Sequence, residues 1–173
     1  MLARHDPAPH RWRPEPATRY PDRMSELRLE ELAASNIVAA NTLSLKPGQE
    51  QFVAPVSHSI AEAYVNPATA WPRVVLEDDE VVGFIMGNFD PDAQEDEFKA
   101  CIWRINVAAD AQGHGVGRFA VLALADEARS RGFERITVMF EPGEDGPAAF
   151  FERIGFETIG ETPYGETIAA LAL

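Results

Sequence analysis

The chain has 173 residues, and its 28 acidic against 15 basic residues give a formal net charge of −13. The length suits a single globular core, and no apolar run approaches the roughly 18 residues that a membrane-spanning helix needs. The acidic balance repels a phosphate backbone, so it argues against nucleic acid as a partner and favours small cations. The one cysteine, Cys101, excludes an internal disulfide and zinc motifs built on cysteine pairs, and it suits a reducing cytoplasm.

The first 24 residues differ from the rest in holding five prolines and five arginines with few aliphatic side chains. They are predicted to form a flexible tail. A transit peptide is the alternative, although the prolines would break its amphipathic helix and the three acidic residues are out of place in one. Met24 is a candidate for the true start. Residues 25–173 then hold 10 basic and 25 acidic residues and are predicted to form one domain.

The predicted elements mix strands and helices without any internal repeat. Runs rich in Val and Ile predict strands, and apolar residues spaced by three and four positions predict helices. In chain order the sequence predicts a strand from Leu27, a helix capped by Ser35, a helix over 59–64, strands over 73–76, 81–86 and 101–107, a helix from Val116 that ends at Gly132, a strand over 136–140, a helix over 148–154 closed by Gly155, and two last strands from Phe156. The strands on either side of the polar turn 78–80 are predicted to pair as a hairpin. The fold class is therefore mixed α/β.

A glycine-rich segment, residues 112–118, lies between the strand that ends at Val107 and the helix that follows. Without Cβ atoms the backbone can approach a phosphate closely, and the N–H groups at a helix N-terminus attract anions. Arg118 replaces the last glycine of a dinucleotide fingerprint, and no Gly-Lys-Ser/Thr string follows, so nicotinamide binding and phosphoryl transfer are disfavoured. A plain glycine-rich turn that caps a helix is the alternative.

The glycine-rich segment also carries a family resemblance. Gln112-x-x-Gly115-x-Gly117, five residues after Val107, resembles the acetyl-CoA signature [QR]-x-x-G-x-[GA] of the GNAT superfamily of N-acetyltransferases. Residues 150–156, Phe-Phe-Glu-Arg-Ile-Gly-Phe, are similar to the closing element of that family, and the resemblance extends over roughly residues 27–172. Further segments resemble the bacterial spermine/spermidine (diamine) acetyltransferases, namely 45–47, 51–54, 59–63, 102–104 and 140–142.

The resemblance implies a fold and a cofactor site. The fold is a mostly antiparallel sheet of six to seven strands, with a splayed parallel pair at its centre and about four flanking helices. A bulge beside the splay turns an N–H toward the thioester oxygen in such folds. The pantetheine arm of acetyl-CoA would lie along Ile105, Asn106 and Val107, although Ile105 and Val107 also suit simple core burial. The pyrophosphate would contact Gln112, Gly113, His114, Gly115, Val116, Gly117 and Arg118. Dimers are common in the family, so a homodimer is one expectation.

Two positions depart from the family pattern. Glu144 stands about where many members have an asparagine that contacts the pantetheine. Phe151 stands where the family often has a tyrosine that protonates the departing thiolate of coenzyme A. Phenylalanine has no proton to donate.

The loss of that tyrosine bears on the acid–base chemistry of acetyl transfer. An alkylamine has a pKa of about 10.4 and a thiol one of about 8.5, so deprotonating the amine is the harder task and a base matters more than an acid. Glu141, Glu97 and Glu50 are candidate bases, and each is also readable as an ordinary surface residue. Tyr164 is a candidate for a replacement hydroxyl.

Six other residues have weaker interpretations. Trp103 and Trp71 offer aromatic faces that suit an ammonium group, with core packing as the alternative. Asp90-x-Asp92 lacks the spacing and the glycine of a calcium loop and is interpreted as a solvated hairpin tip. His58 is interpreted as a residue at the start of a helix, and Cys101 as a small buried residue.

The sequence therefore predicts a cytoplasmic, acetyl-CoA-dependent N-acetyltransferase in which a small primary amine attacks bound acetyl-CoA directly. A polyamine such as spermidine or spermine is the preferred acceptor, which the resemblance to the diamine acetyltransferases implies and the acidic balance suits, although net charge does not distinguish one cationic acceptor from another. A peptide N-terminus, an amino acid or an aminoglycoside is the enzymatic alternative. A non-catalytic acyl-CoA-binding module is the alternative from another class, and Phe151 together with the missing base favours it.

Overall fold

The structure is a computed structural model that describes residues 26–173. The predicted tail, residues 1–24, lies outside the described residues. The strands are β1 (Leu27–Glu31), β2 (Ala70–Glu77), β3 (Glu80–Phe89), β4 (Ala100–Val107), β5 (Arg135–Phe140), β6 (Glu157–Glu161) and β7 (Thr167–Ala172). The α-helices are α1 (Ile37–Asn41), α2 (Val56–Val65), α3 (Val116–Ser130) and α4 (Ala148–Ile154). No helix within 26–173 is long and apolar enough to cross a membrane.

The seven strands form one sheet in the order β1-β2-β3-β4-β5-β7-β6. Every neighbouring pair is antiparallel except β4 and β5, which are parallel. The predicted hairpin, β2 and β3, pairs along its whole length. The predicted fold class, with a mostly antiparallel sheet, a central parallel pair and four helices, is confirmed.

The start of the first helix differs from the prediction. Asn36 caps α1, so the assignment of Ser35 as the N-cap is wrong. The Asn36 side chain accepts a hydrogen bond from the Ala33 N–H at 2.8 Å and donates one to the Glu31 carbonyl at 2.9 Å. These bonds fold the chain into a tight turn after β1, and the helix begins one residue later than predicted.

Two apolar clusters cover the two faces of the sheet. One contains Ile85 of β3 and the buried residues of α3. The other contains Phe84, which packs against residues of α1 and α2. The alternation along β3 sends successive side chains to opposite faces. Leu124 of α3 is fully buried, and its Cδ1 lies 2.9 Å from where a Cβ on Gly87 would stand. The helix therefore packs directly against the β3 backbone at Gly87.

The central pair of strands separates soon after it forms. Only Cys101 with Thr137 and Ile102 with Val138 are paired between β4 and β5. Beside this splay, the register between β3 and β4 shifts so that Trp103 is an extra residue in β4. This is the predicted bulge, and it lies where the two parallel strands diverge.

Candidate active site

A cleft of about 760 Å³ opens where β4 and β5 diverge. One wall is the β4 segment around the bulge, and the facing wall is the end of β5 with the start of α4. The segments that line it are 45–46, 49–54, 102–105, 107, 112–113, 117, 138–141, 145–147, 149–151, 153 and 166. The splay thus supplies a long groove between two strand ends that carry polar backbone groups.

The glycine-rich loop forms one end of this cleft. Gly113 and Gly115 have φ values of 88° and 91°, a left-handed conformation that disfavours residues with a Cβ. Within residues 26–173, the N–H groups of 113–118 donate no hydrogen bond. These six successive donors lie at the N-terminus of α3, where the helix dipole favours an anion.

Gly117 marks the closest approach between the loop and α4. A Cβ at this position would lie 3.0 Å from Cε2 and Cζ of the Phe150 ring. Phe150 lines the cleft, and its ring meets that of Phe151 edge-on at 5.0 Å. A glycine at 117 therefore lets α4 sit against the start of α3.

The Gln112 side chain is engaged by other protein groups. Its Nε2 donates to the Val107 carbonyl at 3.0 Å and to Gln49 Oε1 at 2.7 Å, while Gln49 Nε2 donates back to Gln112 Oε1 at 3.1 Å. These bonds fasten the glycine-rich loop to the end of β4 and to the segment before α2. The side chain of Gln112 therefore positions two walls of the cleft.

The other side chains predicted to contact the cofactor separate into two groups. Ile105 and Val107 line the cleft and also pack against the larger apolar cluster. Asn106 is only 3 % exposed and donates to the Ala54 carbonyl at 3.3 Å on the opposite face of the sheet. The remaining side chains of the loop are the buried Val116 and the exposed His114 and Arg118, and these three do not line the cleft.

Phe151 is buried within a cluster of aromatic rings at the back of the cleft. It stacks on Phe140 at 5.6 Å and meets Phe156 edge-on at 5.3 Å. The ring is 2 % exposed and still lines the cleft wall. A tyrosine at this position would add a hydroxyl, and therefore a proton donor, to the ring that lines the cleft.

The candidate acid–base residues do not all reach the cleft. Glu141 and Glu50 line it. Glu97 does not, and its backbone carbonyl instead accepts a hydrogen bond from the Thr137 hydroxyl at 2.6 Å. The Tyr164 side chain is 92 % exposed and lies outside the lining. Glu144 is exposed and does not line the cleft either.

The two candidate tryptophans have different surroundings. Trp103 lines the cleft at the bulge and packs partly against the apolar cluster under α1 and α2. Trp71 is buried, with the Arg73 guanidinium 4.5 Å from its ring centre and Phe89 edge-on at 6.0 Å. The face of Trp71 is therefore already covered by the protein's own cation.

Several charged residues of the cleft were missed by sequence reasoning, namely Lys46, Arg104, Asp145, Arg153 and Glu166. Lys46, Arg104 and Arg153 fall in segments that resemble family patterns, but nothing in those patterns marked them as cleft residues. Each of the five is brought to the cleft by the fold of the element or loop on which it lies. Glu166, for example, precedes β7 and is oriented by the Thr162 hydroxyl at 3.3 Å.

The remaining sequence interpretations concern nucleophiles and metals. Cys101 is fully buried, and burial raises the pKa of its thiol to about 12. His58 lies in the first turn of α2, as interpreted, and its Nε2 is 3.4 Å from Glu62 Oε1. Among the residues described, no cluster of three or more His, Cys, Asp or Glu side chains is arranged to hold a metal ion.

Comparison with known proteins places this cleft in a family. Residues 44–156 match the acetyltransferase (GNAT) family, and the chain belongs to that family. A mycothiol acetyltransferase of Rhodococcus jostii (strain RHA1) is 26 % identical over 98 residues, which cover 56 % of this chain. The match spans only about a third, 32 %, of the length of that curated relative.

Solved structures share the fold at low sequence identity. An acetyltransferase from Thermus thermophilus has a TM-score of 0.67 at 20 % identity, over 85 % of this chain and 97 % of that one. The ribosomal-protein-S18-alanine N-acetyltransferase of Escherichia coli gives 0.61 at 20 %, over 85 % and 94 %. The PaiA N-acetyltransferase of Thermoplasma acidophilum, in complex with coenzyme A, gives 0.65 at 13 %, over 86 % and 99 %.

The family uses acetyl-CoA, and the residues present here fit that group. The unpartnered N–H groups of 113–118 match the oxygens of a pyrophosphate, and the splay offers unpaired strand edges to an extended amide chain such as pantetheine. The open surface of Gly113 and Gly115, where a Cβ would meet nothing within 4 Å, leaves the loop accessible to phosphate.

Proposed function

We propose that this protein transfers the acetyl group of acetyl-CoA to a primary amine of a small polycation, such as spermidine or spermine. The observation that carries the proposal is the lining of the cleft. Unpartnered N–H donors stand at the glycine-rich end, and over the lining as a whole four carboxylates outnumber three basic side chains. The donors suit an anion, and the carboxylates suit an ammonium group.

The distribution of charge supports a cationic acceptor. The acidic residues that line the cleft are Glu50, Glu141, Asp145 and Glu166, and the basic ones are Lys46, Arg104 and Arg153. Arg104 is already paired with Glu62 at 3.2 Å, which removes much of its attraction for an anionic acceptor. Lys46 and Arg153 are then the basic residues of the lining without an ion pair among residues 26–173, and the phosphates of coenzyme A suit them.

Direct attack of the amine on the thioester is the mechanism that the residues favour. With its pKa at about 12, Cys101 holds almost no thiolate at neutral pH, so an acetyl-cysteine route has no nucleophile there. The acceptor amine must lose its proton before it attacks. Glu141, at the end of β5 and beside the splay, is the carboxylate that we assign to this task.

The departing thiolate has no tyrosine to protonate it. Phe151 presents an apolar ring to the cleft where the family often has a hydroxyl. A thiolate is a comparatively stable leaving group, since its conjugate acid has a pKa of about 8.5. The thiolate leaves without a protein acid, or with a proton from water, and the base at Glu141 carries the larger part of the acid–base catalysis.

The experiment is an amine panel with release of the coenzyme A thiol as its readout. Spermidine and spermine should exceed butylamine in kcat/KM, and their advantage should decline as salt screens the carboxylates. Glu141→Gln should lower kcat by about 10² or more with the same acceptors. If a peptide N-terminus, an amino acid or an aminoglycoside has the highest kcat/KM, the acceptor is not a polyamine, but the protein is still an acetyltransferase. The absence of thiol release with every amine would remove both.

A further inference from the structure

Four buried side-chain atoms within residues 26–173 have no hydrogen-bond partner, and all four lie where α2 faces β4. They are Ser59 Oγ, Glu62 Oε2, Arg104 Nε and Asn106 Oδ1. Ser59 is 0 % exposed and Asn106 is 3 % exposed. A buried polar atom left without a partner destabilises the folded state, so four in one place indicate that something else supplies the partners.

The fold places these four side chains on facing parts of α2 and β4, and we call the region between them the recess. Ser59 and Glu62 are three residues apart on α2, so they share one face of the helix. Arg104 and Asn106 are two residues apart on β4 and share one face of the strand. Two contacts join β4 to α2 and to the segment just before α2: Arg104 Nη2 to Glu62 Oε1 at 3.2 Å, and Asn106 Nδ2 to the Ala54 carbonyl at 3.3 Å. Ser59 lies on α2 between these two contacts.

The recess adjoins the cleft. Arg104 and Ala54 line the cleft and also hold the recess together. The side chains of Arg104 and Glu62 are 26 % and 27 % exposed, so the recess is open on their side. A molecule in the cleft beside the bulge of β4 can therefore extend a group toward α2.

Three of the four atoms are acceptors. Glu62 Oε2 carries negative charge, and Asn106 Oδ1 and the Ser59 hydroxyl are neutral acceptors. The Asn106 oxygen is the free atom of its amide, because the nitrogen is the one that bonds to a carbonyl. A primary ammonium has three N–H donors, one for each of these acceptors, and Oε2 is the Glu62 oxygen that the ion pair with Arg104 leaves unbonded. The Arg104 Nε–H is the one donor, and a water molecule beside the ligand can accept from it.

We infer that the recess formed by Ser59, Glu62, Arg104 and Asn106 binds a second, non-reacting ammonium group of the acceptor. This rests on the proposed function, because it assigns one end of the polycation. The reacting amine must be neutral, whereas a carboxylate beside an amine favours its protonated form. The recess therefore holds the distal amine and presents the other one to the thioester, so it selects diamines and polyamines over monoamines.

Ser59→Ala is the sharpest test, because Ser59 Oγ makes no hydrogen bond within the described chain and its removal breaks none. The measured quantity is the ratio of kcat/KM for 1,4-diaminobutane to that for butylamine. We expect Ser59→Ala to lower this ratio about tenfold. Glu62→Gln keeps the shape and removes the charge, so it should lower the ratio further. Ser57→Ala, an exposed serine on the same helix, is the matched control and should leave the ratio unchanged.

A binding measurement separates this inference from the proposed function. We expect 1,4-diaminobutane, without acetyl-CoA, to raise the melting temperature of the wild type and of Ser57→Ala more than that of Ser59→Ala. If that shift occurs but no amine is acetylated, the proposed function is wrong and the binding of an ammonium group in the recess is supported. If Ser59→Ala and Glu62→Gln lower kcat/KM for diamine and monoamine equally, or leave both unchanged, the recess holds only water and the inference is overturned.

Discussion

Gln49 and Gln112 exchange two side-chain hydrogen bonds, 2.7 and 3.1 Å long, although 63 residues separate them in the sequence. Gln49 lies in the short 3₁₀ turn Gln49–Gln51 before α2, and Gln112 begins the glycine-rich loop. The pair therefore ties the acceptor side of the cleft to the cofactor side. The Gln112 bond to Val107 then fixes both to the end of β4.

Breaking this pair should weaken both stability and cofactor binding. Gln112→Ala loses the bonds to Gln49 and to Val107, so it should cost more than Gln49→Ala, which loses only the former. In a double-mutant cycle measured by thermal unfolding, the two changes should couple by about 1 kcal/mol. The KM for acetyl-CoA should rise in both variants. Strict additivity of the two changes would show that the pair contributes nothing.

Gly115→Glu should abolish tight binding of acetyl-CoA. The change places a Cβ at a φ of 91° and a carboxylate among the N–H groups that suit phosphate. We expect an affinity loss of about 3 kcal/mol, which is about 150-fold in Kd by calorimetry. Gly132→Glu is the control, because Gly132 has a φ of 87° and lies after the other end of α3. It should lose about 1–2 kcal/mol of stability and keep its affinity. If the two variants bind acetyl-CoA with equal affinity, its phosphates do not contact the glycine-rich loop.

Phe151→Tyr should restore a proton donor at the back of the cleft. The substitution is nearly isosteric, and the ring already lines the cleft, so the fold should persist. We expect turnover to rise, by up to about 10²-fold if protonation of the thiolate limits the rate. Tyr164→Phe should have no effect, because the Tyr164 side chain is 92 % exposed outside the cleft. If Tyr164→Phe lowers turnover and Phe151→Tyr leaves it unchanged, the thiolate does not leave beside Phe151.

Cys101 should resist thiol reagents in the folded protein and be dispensable for turnover. With a pKa of about 12, about one molecule in ten thousand carries the thiolate at pH 8, and the side chain is fully buried. An aromatic disulfide reagent at pH 8 should therefore label the unfolded chain at once and the native chain only as fast as it opens. Cys101→Ala should retain acetyl transfer. If Cys101→Ala folds but loses acetyl transfer, a mechanism through an acetylated Cys101 would be supported instead.

Local patterns in the sequence are sufficient to predict most of the sheet and helices. The stripe from Val116, the strand runs and the glycine at 155 are each a short-range signal, and the elements lie where these signals place them. Ser35 is not the cap because the Asn36 side chain, one residue later, bonds two backbone groups of the turn after β1, and the helix begins only after that turn. Adjacent residues with similar capping propensity are distinguished only by such contacts.

The site is less predictable than the fold because its members are distant in sequence. The glycine-rich loop is contiguous, so its pattern indicates an anion site. The acidic lining and the recess between α2 and β4 depend instead on which strand ends meet and on how α2 packs. Ser59, Glu62 and Arg104 fall in segments that resemble the diamine acetyltransferases, but nothing in the sequence indicates that these segments meet in the fold.

Within the sheet, two residue pairs join strands β1–β4 to strands β5–β7, Cys101 with Thr137 and Ile102 with Val138. An extended ligand that bonds to the ends of both β4 and β5 would connect the two parts of the sheet. Its binding energy then adds to the cohesion of the sheet, and at a concentration 100 times its Kd the ligand stabilises the folded state by about 2.7 kcal/mol. The resistance of this protein to unfolding and proteolysis in a cell would then follow its supply of acetyl-CoA.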